Sequence, residues 1–383
     1  MRKLKWKNLF PYIAATLFIA CWWVLAFSHT DSVTPVTALR TPQNPETKNL
    51  GITPLHRDTL RKALAGNFTL MAKLIADWDV DAQLLEKQTE TVFKRLPNAA
   101  YVNSQLLVRQ LSTQSLPPKT IVRFLPQTYV AASFLLALTT PDQIVALPEG
   151  LRKQVHLFPK EQTNTILLDI DRYQGEKLFI AHPDIAFVSH YSHPATLEAL
   201  RNQGIEIHSL PSISQLSDIY DTLKQIGVVS NRQAEAELLA IFIEAALLCI
   251  DNRLTTLNLN DHLPHILFLN CHHRYSTPTE KTLTGQLLNR MGLTGTMQRS
   301  SSSQEWTIPI EQEELIQLNP HCIIISTQNI EGKIREISTF RHTKAYQQQN
   351  IFFVDENVQD FGSQHIVLAY YDLYNALASA RFP

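Results

Sequence analysis

The spacing of hydrophobic positions changes along the chain and predicts different kinds of segment. Between residues 55 and 112, leucines and valines recur at helical spacing among polar residues, which predicts a set of helices. From residue 119 onward, short β-rich runs alternate with helical patterns. These runs predict strands at 120–125, 143–147, 185–189 and 205–210. Because strands and helices alternate, the pattern favours parallel sheets.

The alternation then stops between residues 214 and 254, where the pattern is continuously helical. One face is formed by Ile219, Leu223 and Ile226, and Gly227 is expected to interrupt it. The stretch 233–254 predicts one helix of roughly 33 Å, and its scattered charges argue against a membrane span. The β–α rhythm resumes afterwards, with strands expected at 265–270 and 351–355 and helices at 283–291 and 366–378. We therefore expect a long helix between two α/β lobes.

Two segments of the chain repeat each other. Each begins with a Glu and a short apolar helical turn, continues to a Pro seven residues later and ends in a β-rich run closed by Ser. The first runs from Glu176 to Ser189 and the second from Glu313 to Ser326. Repeats this far apart indicate two similar lobes rather than a solenoid, whose repeats are about 20–50 residues long. Two lobes imply a cleft where a small ligand can bind.

The N-terminus has a different character from the rest of the chain. Arg2, Lys3, Lys5 and Lys7 precede an uncharged apolar run at 9–27. This run lies between the length of a signal-peptide core and that of a spanning helix, so a cleaved signal peptide and a retained membrane anchor both stay open. The positive charges keep the N-terminus in the cytoplasm, which places the body of the chain outside.

Bulk composition narrows the class of protein. The chain has 383 residues, 44% hydrophobic content and a net charge of −1, which describes an ordinary globular protein with room for two domains. Since no basic cluster lies beyond the N-terminus, nucleic-acid binding is not expected. The four cysteines form no C-x-x-C motif, which argues against a zinc ribbon or a thioredoxin-like site.

These patterns together predict six regions. They are a signal peptide or membrane anchor at 1–28, a linker at 29–54, a helical extension at 55–118, an N-terminal α/β lobe at 119–212, connecting helices at 213–256 and a C-terminal α/β lobe at 257–383. The expected fold class is α/β, with two similar lobes containing parallel sheets, joined by one long helix and preceded by the extension. The sequence of the extension predicts no function for it.

The residues from about 119 to 382 resemble the helical-backbone class of periplasmic substrate-binding proteins of ABC importers. The resemblance rests on the order of several short elements: Glu176…Pro183-Asp184-Ile, Leu200…Gly204-Ile-Glu-Ile, 214–227, 287–293 and 350–355. It implies a cleft between the two lobes that binds an iron–siderophore, haem or cobalamin, a rigid connecting helix and no required cofactor. It also implies ABC permease subunits as partners, a monomer, and a location in the periplasm or on the outer face of the cytoplasmic membrane.

In this class, one Glu on each lobe docks into a basic pocket of the permease. By position these residues correspond to Glu176 and Glu313. Two carboxylates on separate rigid lobes would fix the register of the complex against two arginine clusters. A simpler interpretation is that each Glu only favours a helix N-terminus, where negative charge is stabilised by about 0.3–1 kcal/mol.

Ligands of open α/β sheets bind at the carboxyl ends of the strands, which selects six loops as candidate ligand contacts. Two of them carry several side chains that can bind a ligand or a metal. The loop after the first repeat contributes His190, Tyr191 and His193, and the loop after the first strand of the second lobe contributes Cys271, His272, His273, Arg274 and Tyr275. Other candidates from the remaining loops are Tyr129, Gln328 and Phe361.

These side chains offer several kinds of ligand contact. His and Tyr could ligate haem iron, and His with Cys could hold a softer metal. Arg274 could bind a carboxylate through its planar fork, and aromatic rings could stack on a macrocycle. Equally, they could be ordinary exposed polar residues, so a metal-ligand set is not assigned.

An enzyme is the second interpretation. The chain lacks a P-loop, G-x-S-x-G, H-E-x-x-H and a dinucleotide glycine fingerprint, so we expect a non-enzyme. A tetrapyrrole or metal chelatase-like enzyme on a two-lobed fold, with Cys271, His272 and His273 as its site, is the alternative. A third interpretation is an anchored binding or scaffold protein without a transport role.

Overall fold

The computed structural model describes residues 55–90, 100–113, 122–171, 180–257, 259, 266–271, 274–293, 305–328, 340–359 and 361–382. All of them belong to one compact unit, Pro42–Pro383. The leader at 1–28, the linker at 29–54, Glu176, His272 and His273 lie outside the described residues.

The helical extension consists of four helices in the described ranges: α1 Arg57–Leu64, α2 Phe68–Asp77, α3 Ala82–Glu90 and α4 Ala100–Thr113. The Asn67 side chain accepts a hydrogen bond from Leu70 N at 3.0 Å and caps α2. Gly66, in the turn before it, has a φ of +97°, a conformation that favours glycine. Several leucines of the predicted pattern point inward, since Leu60 and Leu64 are fully buried, whereas Leu84 and Leu106 are exposed.

The N-terminal lobe alternates strands and helices. Its elements are β1 Phe124–Pro126, α5 Tyr129–Leu138, β2 Leu147–Pro148, α6 Lys160–Thr163, β3 Asp169–Ile170, β4 Ile185–Ser189, α7 Pro194–Asn202 and β5 Glu206–Leu210. Strands β1, β4 and β5 form a parallel sheet in the order β1-β4-β5, and β2 and β3 form a second parallel pair. Of the predicted strand at 143–147, Gln143 lies in a 3₁₀ turn, Ile144 forms a single parallel bridge to Phe124, and Leu147 begins β2.

Two helices connect the lobes: α8 Leu216–Val229 and α9 Gln233–Thr255. Gly227 is expected from the sequence to interrupt the helical pattern, but it lies inside α8. A Cβ at this position would lie 2.6 Å from the Cβ of Ala236, so the glycine lets α8 pack closely on α9. Helix α9 is buried along most of its length, from Glu235 to Ile250. None of the helices in the described ranges combines the length and the apolar character that a membrane span needs.

The C-terminal lobe carries a five-stranded sheet. Its elements are β6 Ile266–Cys271, β7 Tyr275–Pro278, α10 Leu283–Arg290, β8 Thr307–Pro309, α11 Gln312–Leu318, β9 Cys322–Thr327, α12 Lys344–Gln347, β10 Ile351–Asp355, α13 Glu356–Gln359 and α14 Ile366–Ser379. The strand order is β10-β9-β6-β7-β8. The first three strands are parallel, as expected, whereas β7 and β8 add two antiparallel strands that the sequence did not predict.

The two repeats occupy equivalent places in the two lobes. The first leads into β4 and the second into β9, each at the middle of the parallel part of its sheet. His182 and Asn319, the residues directly before the repeat prolines, both have positive φ values, +42° and +44°. The α/β fold class with two similar lobes and one long connecting helix is therefore confirmed.

One hydrophobic core runs through the molecule. It contains Phe187 of the N-terminal lobe, Phe242 of α9, Phe268 of the C-terminal lobe and Trp78 of the extension. The rings of Trp78 and Phe242 are 5.4 Å apart. A smaller cluster covers the other face of each sheet. The extension is thus part of the folded body and not a separate spacer.

Candidate functional site

A cleft of about 840 Å³ opens at the carboxyl ends of β1, β2, β3 and β4. Its walls come from the loops that follow these strands, as the rule for open α/β sheets predicts. A cleft between the two lobes is expected from the sequence, whereas the lining residues in the described part of the chain all belong to the N-terminal lobe. The lining residues are Gln127, Thr128, Tyr129, Val130, Pro148, Glu149, Lys153, Ile170, Asp171, Ser189, Tyr191, Ser192, His193, Pro194 and Thr196. A volume of this size fits a small molecule of several hundred daltons.

The loop after β4 brings two of the predicted residues into the cleft, Tyr191 and His193. The side chain of Tyr191 is 76% exposed, which leaves its ring accessible to a ligand. His190 is not part of the lining. Its ring lies edge-on to Tyr191, with centroids 4.9 Å apart, and so supports the orientation of that ring.

Short-range hydrogen bonds fix the shape of this loop. Ser192 Oγ accepts a hydrogen bond from Ser189 N at 3.0 Å, and Ser189 Oγ accepts one from Tyr191 N at 3.1 Å. His193 caps α7, because its Nδ1 accepts a hydrogen bond from Ala195 N at 3.2 Å. With Nδ1 as an acceptor, the proton of the neutral ring is on Nε2, which makes that nitrogen a donor.

Tyr129 also lines the cleft. It stands at the first turn of α5, which Thr128 caps by accepting a hydrogen bond from Ala131 N at 3.1 Å. The Tyr129 hydroxyl donates to the carbonyl of Glu149 at 2.6 Å. Partial burial raises the pKa of Tyr129, and the Glu149 carboxylate raises it further. Tyr129 therefore offers its ring to a ligand, while its hydroxyl is committed to the protein.

The charges in the cleft are mixed. Glu149 and Asp171 contribute carboxylates, and Lys153 contributes one ammonium group. Glu149, Lys153 and Asp171 are not among the site residues predicted from the sequence. A signal existed in their positions, because both Glu149 and Asp171 directly follow a strand. In the part of the chain that is described, no three His, Cys, Asp or Glu side chains come together as a metal site.

The structure separates the candidates predicted in the C-terminal lobe. Arg274 and Gln328 are exposed at the carboxyl edge of the sheet. Tyr275 lies within β7, and its ring packs edge-on against Phe340 at 5.4 Å. Cys271 is only 6% exposed and lies in the cluster on the outer face of the sheet. Its side chain packs among apolar residues, and ligand contact by Cys271 stays a prediction.

Phe361 is buried between the lobes. It is 8% exposed and packs against Tyr129 of the N-terminal lobe, with ring centroids 6.4 Å apart. Its ring also meets Phe158 and His365 edge-on, at 6.1 Å and 5.7 Å. Phe361 thus supports the Tyr129 wall from behind rather than presenting its own face to the cleft.

A charged contact joins the lobes beside this aromatic cluster. His156 Nε2 of the N-terminal lobe lies 3.0 Å from Asp355 Oδ2 at the end of β10, within ion-pair distance although outside ideal hydrogen-bond angles. Asn357 donates to the other carboxylate oxygen through its backbone N at 2.9 Å and its Nδ2 at 3.0 Å. Burial alone would raise the pKa of Asp355, but His156 and Asn357 together hold it below its usual value.

His365 sits in the same junction and is fully buried. Its Nδ1 is 3.0 Å from the hydroxyl of Ser133 in α5 and 3.2 Å from that of Ser363. Burial lowers the pKa of His365 to about 3, and the positive charges of His156 and Arg57 contribute to the shift. The ring is therefore neutral in the folded protein at neutral pH.

This burial makes folding sensitive to acid. Below about pH 6.5 an unfolded chain protonates His365, whereas the folded protein does so only near pH 3. Stability should fall as the pH drops through this window, by at most about 1.4 kcal/mol per pH unit from this residue. Urea denaturation between pH 7 and pH 5 should show a shallower pH dependence for His365→Gln than for the wild type. The exposed His342→Gln serves as the control, and equal slopes for His365→Gln and the wild type would contradict the assignment.

The structure describes one of the two predicted docking residues. Glu313 lies in the first turn of α11 and is exposed on the C-terminal lobe. Its counterpart in the first repeat, Glu176, lies outside the described residues.

Two α/β lobes, one long connecting helix and a cleft at the carboxyl edge of a parallel sheet define a two-lobed binding protein. A family model described as "Periplasmic binding protein" matches residues 135–358, more than half of the chain. The chain belongs to this family, which is one of binding proteins rather than enzymes and whose location is extracytoplasmic. No curated protein sequence matches it.

Several solved structures share the fold. The haem-binding protein RhuT from Roseiflexus sp. RS-1 has a TM-score of 0.53 and 16% identity, covering 67% of this chain and 97% of its own. The haem-binding protein HutB of Vibrio cholerae has 0.51 and 19%, covering 67% and 98%. FhuD2 from Staphylococcus aureus with bound ferrioxamine B has 0.52 and 15%, also covering 67% and 98%. Nearly all of each relative therefore matches about two thirds of this chain.

Proposed function

We propose that this protein is the extracytoplasmic substrate-binding component of an ABC importer, and that its cleft takes an iron complex, haem or cobalamin. The observation that carries the proposal is the cleft at the carboxyl ends of β1–β4, walled by the rings of Tyr129 and Tyr191. Aromatic walls with a few polar donors suit a large planar or chelated ligand. The similarity to structures of haem-binding proteins and of a protein holding ferrioxamine B supports the same ligand class.

The charges of the cleft favour particular members of this class. Among the described residues, its lining includes two carboxylates and one lysine and no arginine. A strongly anionic ferric catecholate would meet repulsion from Glu149 and Asp171, whereas a neutral or cationic ferric hydroxamate would not. Among ferric siderophores, we expect hydroxamate complexes to bind more tightly than catecholate complexes.

Absorbance and fluorescence titrations with haem, a ferric hydroxamate, a ferric catecholate and cobalamin test the proposal. We expect saturable binding of at least one member and about a tenfold loss of affinity in Tyr191→Ala, because an exposed aromatic wall is removed. Tyr346→Ala is the matched control, since this half-exposed tyrosine lies outside the cleft lining. Failure of the whole panel to bind would overturn the proposal.

Permease docking through Glu176 and Glu313 is a separate part of the proposal. It rests on their equivalent positions in the two repeats and on the exposure of Glu313. The double variant Glu176→Lys, Glu313→Lys should impair uptake in cells, because its positive charges would then face basic pockets of the permease. Ligand affinity should stay unchanged. The pair Glu198→Lys, Glu280→Lys is the control, with one exposed position on each lobe. Equal loss of uptake and affinity in the double variant would reject the docking assignment.

We further propose that the basic N-terminus stays in the cytoplasm and that the body lies in the periplasm or on the outer face of the cytoplasmic membrane. The support is the order of basic and apolar residues in the leader, together with the location that the family implies. If the leader is retained, the membrane becomes a second partner, and we propose a monomer as the working form.

A further inference from the structure

The helical extension contacts the N-terminal lobe at several points. A side chain at Gly66, between α1 and α2, would collide with the carbonyl of Ala137 in α5, so the two backbones touch here. Arg61 Nη1 donates to the carbonyl of Val155 at 3.4 Å, and Gln162 Nε2 donates to the carbonyl of Ala65. Helix α1 and the turn after it are therefore fastened to the lobe that carries the cleft.

The same helix is fastened to the C-terminal lobe. Arg57 grips Asp372 of α14 with two bonds, Nε to Oδ1 at 2.9 Å and Nη2 to Oδ2 at 3.3 Å. The Tyr371 hydroxyl donates to the carbonyl of Leu55 at 2.9 Å, and Gln364 Nε2 lies 3.4 Å from the carbonyl of Leu64. The carboxylate of Asp372 is almost fully enclosed, with 8% side-chain exposure, so Arg57 is its counter-ion in a site with little water.

Helix α1 and the residues beside it thus bond to both lobes. Directly at this junction, Gln364 also donates to the backbone carbonyl of Ser133 in α5 at 2.9 Å. The His156–Asp355 pair crosses it beside the cleft wall. The connecting helix and the direct contacts between the lobes already hold this junction. The bonds of the extension to both lobes add to them.

We propose that the extension is a brace across the two lobes, which restricts their relative movement. The solved relatives match over almost their full length while covering about two thirds of this chain, so a third of the chain has no counterpart in them. This proposal rests on the contacts of the extension with the two lobes, and it does not depend on which ligand the cleft binds.

Distance measurements between spin labels test the brace without any ligand. Glu198→Cys on α7 and Gln312→Cys on α11 place one label on each lobe at exposed positions of the full-length chain. The native cysteines in the described part are buried, and the chain without added cysteines gives the background signal. Double electron–electron resonance of the otherwise wild-type protein should give one narrow distance distribution.

Arg57→Ala should add a second, longer distance. Minor conformations of two-state proteins hold about 0.1–10% of the population, and we expect this variant to raise the open form to more than about half. Arg57→Lys keeps the charge without the two-pronged grip and should lie between the wild type and Arg57→Ala. Should Arg57→Ala fail to fold, Tyr371→Phe removes the single bond to Leu55 and should still broaden the distribution.

Arg152→Ala is the matched control, since Arg152 pairs with Asp169 at 2.7 Å within the N-terminal lobe. It should lower stability and leave the distance between lobes unchanged. A broad wild-type distribution, or Arg57 and Tyr371 variants with the wild-type width, would overturn the brace. Neither result would affect the ligand titrations, so failure of the brace is distinct from failure of the proposed function.

Discussion

Arg290→Ala is expected to lower the free energy of unfolding by about 3–5 kcal/mol, the cost typical of breaking a buried ion pair on one side. Arg290 of α10 bonds to two carboxylates of the connecting helix, Glu244 Oε1 at 2.8 Å and Asp251 Oδ2 at 2.9 Å. Glu244 is buried and also accepts a hydrogen bond from the Tyr220 hydroxyl at 2.7 Å. Without Arg290 its negative charge would be left inside the core.

The pKa of Arg290 reflects the strength of this site. Burial alone would lower it, but the two carboxylates raise it above its usual value, so the residue is charged at every accessible pH. Chemical denaturation of Arg290→Ala, Arg290→Lys and the exposed Arg341→Ala measures the effect. We expect an intermediate loss for Arg290→Lys and a change within about 0.5 kcal/mol for Arg341→Ala. A loss below about 1 kcal/mol in Arg290→Ala would show that the network does not hold the connecting helix to the C-terminal lobe.

Trp78→Ala is expected to cost about 3–5 kcal/mol, as large-to-small changes at buried aromatic positions do. Trp78 is 2% exposed at the end of α2, and its ring lies 5.4 Å from that of Phe242 in the connecting helix. The extension would lose an aromatic contact with the connecting helix.

Trp306→Ala provides the matched comparison, since this tryptophan is 55% exposed beside β8. Its removal should change stability by less than about 0.5 kcal/mol. Thermal and denaturant unfolding of both variants measures the change in the free energy of unfolding. Similar small losses for the two would mean that the extension does not share the core of the lobes.

Long uninterrupted patterns could be predicted from the sequence. The connecting helix was expected at 233–254 and is observed at Gln233–Thr255, because no proline or glycine breaks its apolar run. The strand at 185–189 was also placed correctly, since Pro183 and the turn after Ser189 bound a short β-rich run. Strand β7 was missed because its four residues, Tyr-Ser-Thr-Pro, are half polar and end in proline.

The candidate site was predictable only in part. The rule for carboxyl ends of strands located Tyr129, Tyr191 and His193 in the cleft lining. It could not show that Cys271 faces the core, because the face of a residue at the end of a strand depends on its register with the neighbouring strands. Contacts such as that of Ser133 with Gln364 join residues 231 positions apart, and no local pattern records them.

The extension places this protein apart from its solved relatives in one physical respect. Its first helix is bonded to both lobes, and its second packs on the helix between them. We expect these bonds to limit the relative movement of the two lobes.

A crystal structure of the protein soaked with the tightest ligand of the titration panel tests the central claim most directly. The account predicts ligand density in the cleft between Tyr129 and the Ser189–His193 loop, with the ring of Tyr191 against the ligand. Ligand bound elsewhere on the surface, with this cleft empty at saturating concentration, would contradict it.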